Sequence, residues 1–133
     1  MTFDQKETLY IRSAYLILYI GFIALPIIAG LDKFGEFLTD WSQYLAPVFP
    51  RLLSMTSETF MRVGGVIEVA VGLLVAWKPR YFAFVVAAWL VLIIINLFIL
   101  GDYYDIALRD LGLSLAALAL GFLALTPAAR RVS

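Results

Sequence analysis

The chain has no cysteine and no histidine. Without cysteine there are no disulfides, thiolate clusters or thiol redox chemistry. Without histidine the commonest ligand for haem iron, zinc and copper is missing. No metal site is expected, and any catalysis must use carboxylates, Lys, Arg, Tyr or a bound cofactor. Charge is scarce too. Charged residues make up 15% of the chain and sum to a formal net charge of zero, so no basic surface suggests nucleic acid. The first ten residues, MTFDQKETLY, mix acidic and basic groups. No small-residue cleavage site follows the first apolar run, so no cleaved signal peptide is expected.

Apolar residues are abundant. They form 63% of the 133 residues, where a soluble domain is nearer half. Length and composition point to a single membrane domain. Four runs are long enough to cross a bilayer as helices, which takes about 20 residues. They are 13–30, 59–77, 81–100 and 106–126. Pro26 is placed to kink the last turn of the first, and Gly30 to end it. Thr56 and Glu58 read as the cap and first-turn acid of the second. Lys78 to Arg80 and GDYYD at 101–105 read as tight turns, and Pro127 as a stop.

The connection at 31–58 carries its own pattern. Phe34, Phe37, Leu38, Trp41, Tyr44 and Leu45 recur at i, i+3, i+4, i+7, i+10 and i+11, one face of a helix. The stretch is too short to span. The pattern predicts an amphipathic helix over 33–45 lying in the membrane interface, its aromatics at headgroup depth with Tyr103 and Tyr104. The fold class is therefore an all-α membrane protein, an antiparallel four-helix bundle with an interfacial helix between the first two spans.

Loop charges give an orientation. Lys6, Arg12, Lys78, Arg80, Arg130 and Arg131 fall on one side of the four spans. Lys33 and Arg51 fall on the other, among Asp32, Glu36, Asp40, Glu58, Asp102 and Asp105. The positive-inside rule then places both termini in the cytoplasm, and the bacterial cytoplasmic membrane is the expected location.

The second span, TFMRVGGVIEVAVGLLVAW, is the unusual one. It carries Arg62 and Glu68 inside an apolar run, and a charge at membrane depth costs about 2.5–3.5 kcal/mol on insertion scales. On a helical wheel Arg62, Gly65, Glu68 and Gly72 fall within about 120° of one another. Small residues let a neighbouring helix approach closely, so this stripe should face inward. Asp110, Ser114, Ala117 and Gly121 share a face of the fourth span in the same way. Helix rise puts Glu68 near midplane and Arg62, Asn96, Arg109, Asp110, Asp32 and Lys33 in the outer half.

Two arrangements follow from that clustering. One is a set of closed ion pairs, Arg62 with Asp110 and Arg109 with Asp32 or Glu68, fixing helix register. The other is a polar pocket open to the outside with Glu68 at its floor, facing a ligand and at least partly unpaired. Asn96 reads as an interhelical hydrogen-bonding group. The aromatics Phe34, Phe37, Trp41, Tyr44, Tyr103 and Tyr104 read as an interfacial belt before a ligand cage.

Several stretches resemble the DoxX-like four-helix membrane proteins. Arg12 precedes the first span. GLDKF at 30–34 is similar to that family's Gly-x-x-Lys, and GVIEVAVGLLVAWKPR at 65–80 to its Gly-x-x-Glu helix. YDIALRDLGLSLAALALG at 104–121 is similar to its last helix. The aromatic insertion at 34–53 departs from the pattern. The resemblance implies a four-helix bundle, and for some members a membrane subunit of a thiosulfate:quinone oxidoreductase. With no cysteine here, the sulfur chemistry is not carried over.

No catalytic constellation emerges, so the chain is not expected to be an enzyme on its own. The leading expectation is an accessory or ligand-binding module of a membrane redox or envelope complex, holding quinone, lipid or another small amphiphile. A quinone-linked oxidoreductase subunit and a small transporter are the alternatives. Expected partners are membrane lipid and a larger membrane complex or a second copy of the chain.

Overall fold

The computed structural model describes residues 2–130, and of Arg130 the backbone alone. Arg131, counted above with the basic C-terminus, lies outside the described residues. Four helices are long and apolar enough to cross a membrane: α1 (Phe3–Gly35), α3 (Ser57–Trp77), α4 (Pro79–Leu100) and α5 (Tyr104–Ala124). Two short ones, α2 (Val48–Leu52) and α6 (Pro127–Arg130), lie in the long connection and after the last span. There is no strand among the described residues. The outer surface is apolar: Ile17 and Leu108 are 72% exposed and Phe122 64%. A water-soluble protein does not tolerate so large an apolar surface. This is an all-α integral membrane protein built on a four-helix bundle.

Short turns make α3, α4 and α5 successively antiparallel, and the long connection brings the chain back so that α3 runs against α1. Pro79 begins α4 directly after Lys78, where its missing N–H costs nothing. Gly101, at φ 81°, ends α4 in the left-handed region. Thr56 caps α3 by accepting the Thr59 N–H at 3.1 Å, and Glu58 sits in the first turn, as the sequence suggests.

The helices pair as α1 with α3 and α4 with α5. A Cβ added at Gly30 would stand 2.6 Å from the Gly65 carbonyl oxygen, and one at Gly65 equally close to that of Gly30. Only hydrogen on both Cα atoms lets the two backbones meet. Farther along, Gly72 lies against Ile23 and Ile27, and the Tyr19 hydroxyl donates to the Ala76 carbonyl. Numbers rise on one helix as they fall on the other, which is the antiparallel register. In the second pair Gly121 faces the Phe84 ring, and the Ser114 hydroxyl donates to the Ala87 carbonyl at 3.1 Å.

The interior divides in two. Toward the termini it is apolar, with Tyr15, Phe22, Val75, Val86, Ala117 and Leu120 in one cluster. Toward the long connection it holds the buried polar residues Asp32, Lys33, Glu68, Asp110 and Ser114. The terminal half carries an exception that hydropathy does not flag: the Tyr15 hydroxyl and Arg12 Nε are buried with no hydrogen-bond partner among the described residues.

Two readings of local structure are corrected. First, α1 is one helix of 33 residues that contains Pro26, as expected, but runs on past Gly30 to Gly35. It starts ten residues before the expected span because Thr2 and Gln5 form a reciprocal capping box, with bonds of 2.7 and 3.2 Å. Gly30 serves the contact with α3 instead of a helix end. Second, no amphipathic helix covers 33–45. Residues 33–35 finish α1, Glu36 turns left-handed at φ 52°, and a single 3-10 turn follows at Trp41–Tyr44. The cause is Asp32. Its carboxylate accepts the N–H groups of Phe37 and Leu38 at 2.9–3.1 Å and the Trp41 indole N–H at 2.8 Å. These bonds draw the chain back over the helix end, competing with helix continuation as short acidic side chains do.

Candidate functional site

Three helices build the polar centre. Lys33, in the last turn of α1, reaches Glu68 in the middle of α3: Nζ to Oε2 is 2.7 Å. The two side chains are 8% and 10% exposed. The second carboxylate oxygen of Glu68 accepts the indole N–H of Trp89, on α4, at 3.1 Å. The Trp41 ring covers Lys33 at 4.1 Å from Nζ to centroid, a cation–π contact that substitutes for lost hydration. Trp41 is itself tied to Asp32, so adjacent residues of α1 supply the buried ammonium and the anchor of its lid.

Glu68 is therefore paired, and its partner is Lys33 and not Arg62 or Arg109. The reason is reach. Gly30 and Gly65 bring α1 and α3 into backbone contact, and a lysine three residues past Gly30 then spans to a glutamate three residues past Gly65. Arg109 does not enter the network. Its side chain is 68% exposed, and its Nε lies 3.9 Å from Oδ1 of its own neighbour Asp110. Asp110 is buried on α5, with no hydrogen bond to its carboxylate among the described residues.

Asn96 bonds to the connection and not to another helix. Its amide donates to the Tyr44 carbonyl at 2.6 Å and accepts from the Ala46 N–H at 2.8 Å. This pins the 3-10 turn to α4. Tyr44 packs edge-on to Tyr103 at 4.7 Å and to Trp41 at 6.4 Å, so these three aromatics form a cap over the polar centre. Phe34, Phe37 and Tyr104 stay outside it and are exposed. Trp89 is the member that the sequence reading missed. It stands seven residues before Asn96, two helical turns along the same face, and a buried indole N–H needs an acceptor.

Above Lys33 lies a crevice of about 110 Å³ between the end of α1 and the start of α3. Lys33, Phe34, Glu36, Glu58, Met61 and Arg62 line it. Lys33 is buried, whereas Glu36, Glu58 and Arg62 are exposed, so Lys33 forms the floor and the others the rim. Glu68 lies behind Lys33 and does not line the opening. Among the described residues the rim charges form no ion pair, and no group of side chains could hold a metal ion.

Fold and site together define the class: a small four-helix integral membrane protein with an ion pair locked inside its bundle. Compared with known protein families, curated proteins and solved structures, the chain matches none.

Proposed function

We propose that this protein is a ligand-binding module for a small amphiphile, held at the crevice above Lys33, and an accessory of a larger redox or envelope complex. The observation that carries the reading is the double position of Lys33, which lines the crevice and is bonded to Glu68 in the core. A ligand that engages the ammonium touches the contact joining α1 to α3. Charged residues within membrane helices are functional candidates by default, and this one borders an opening. Charged rim groups favour a ligand with a charged head over a neutral ring such as a quinone.

The reading includes a DoxX-like origin. In its support, the paired motif residues meet: Gly30 packs on Gly65, and Lys33 bonds to Glu68. It also includes a bacterial cytoplasmic membrane with the crevice outside and the termini inside. A membrane-impermeant thiol reagent should label Asp40→Cys in intact cells; labelling only after the inner face is exposed would reverse the orientation.

Native mass spectrometry from a mild detergent tests the binding reading. Wild-type protein should retain an amphiphile and Arg62→Gln should lose most of it, while the two melt alike once both are delipidated, because Arg62 is exposed. Wild-type protein without any retained amphiphile would refute the proposal.

A further inference from the structure

We infer that the amphiphile is an aminophospholipid, with its primary ammonium held by Glu36 and Glu58 and its phosphate by Arg62 and Lys33. The inference rests on the crevice being the binding site and adds what the crevice selects. Charge selects first. The rim and floor bring two cations, Lys33 and Arg62, and two carboxylates, Glu36 and Glu58. Glu68, bonded to Lys33 from behind, adds a third carboxylate. A purely anionic head therefore meets a net negative surround. A head with both signs of charge can satisfy both sets.

Unused donors select next. A lysine ammonium has three N–H donors. Glu68 takes one at 2.7 Å and the Trp41 ring faces the group at 4.1 Å. One remains for a phosphate oxygen, and the Arg62 guanidinium supplies the geometry that phosphate favours. The carboxylates also separate a primary from a quaternary ammonium. Two carboxylates bind an ammonium through its N–H groups, which choline lacks. Recognition of choline uses an aromatic cage, and among the described residues Phe34 is the one aromatic ring in the crevice wall.

Backbone conformation agrees. Glu36 closes α1 at φ 52° and ψ 39°, a left-handed position where glycine or asparagine is usual. A glutamate there stores strain, as residues at binding sites do, and Glu36 is one of the residues that line the crevice. Apolar surface for the acyl chains adjoins the crevice at Phe34, 48% exposed, and at Leu31 one turn away, 59% exposed.

The test uses full-length, delipidated protein in mild detergent, titrated with phosphatidylethanolamine, phosphatidylcholine and phosphatidylglycerol of matched chains. Native mass spectrometry reads the bound fraction. Phosphatidylethanolamine should bind about tenfold more tightly than either rival, the scale of one charge-assisted hydrogen bond. In Glu36→Gln/Glu58→Gln that preference should fall to about twofold or less, with only a small shift in melting, since both side chains are exposed and Glu58 is a first-turn acid of α3. Equal binding of all three lipids, or an unaltered preference in the double variant, overturns the inference and leaves the broader binding reading standing. Retention of no lipid at all removes both. Free phosphoethanolamine forms the last arm: displacement of the lipid at equal concentration would assign the site to a soluble zwitterion and overturn the lipid as its source.

Discussion

Replacing Lys33 and Glu68 singly and together gives the sharpest test of the polar centre. Lys33→Met leaves the Glu68 carboxylate behind the crevice with the Trp89 indole as its remaining partner. Glu68→Met leaves a buried ammonium with only the Trp41 ring against it. Stranding one charge of a buried pair costs about 3–5 kcal/mol, so each single variant should lose that much. The double variant strands no charge. Its remaining defect is the Trp89 N–H without an acceptor, worth about 1–3 kcal/mol. Two singles would sum to about 6–10 kcal/mol, so the double falls short of additivity by at least about 3 kcal/mol. The assay is reversible unfolding in mixed micelles, titrating a denaturing detergent into a mild one. Tryptophan fluorescence follows it, since two of the three tryptophans, Trp41 and Trp89, sit at the pair. Additivity within about 0.5 kcal/mol, as for independent sites, would refute the claim that the pair joins α1 to α3.

The helix contacts yield two further expectations. Gly65→Ala places a methyl 2.6 Å from the Gly30 carbonyl oxygen and should destabilise by about 1–3 kcal/mol, as overpacking does. Gly64→Ala meets nothing within 4 Å and should be neutral or stabilising by up to about 1 kcal/mol; the same unfolding assay reads both, and equal effects would contradict the crossing geometry. Asn96→Leu removes both bonds to the connection and should cost about 1–3 kcal/mol. Hydrogen exchange at Ala46 should then quicken while α4 itself stays protected, and an unchanged Ala46 amide would mean that Asn96 does not hold the turn.

The sequence alone determined the four spans, because bilayer thickness sets their length and hydropathy reports it directly. It also determined most of the face of α3 that turns inward. Gly65, Glu68 and Gly72 are buried, since the helical period places them on one stripe, whereas Arg62, expected on the same stripe, is exposed near the start of the helix. Asp110, Ser114, Ala117 and Gly121 are likewise buried together on α5. What it misjudged was the 33–45 segment. Apolar periodicity there is real, but periodicity carries no information about Asp32, whose side chain takes over the backbone N–H groups that a continuing helix would need. Only the tertiary structure decided who pairs with whom. Charges on different helices are equivalent candidates until the helices have a register, and the register here comes from Gly30 meeting Gly65. Once those backbones touch, Lys33 reaches Glu68, Trp89 closes on it from α4, and Arg62 and Arg109 are left outside.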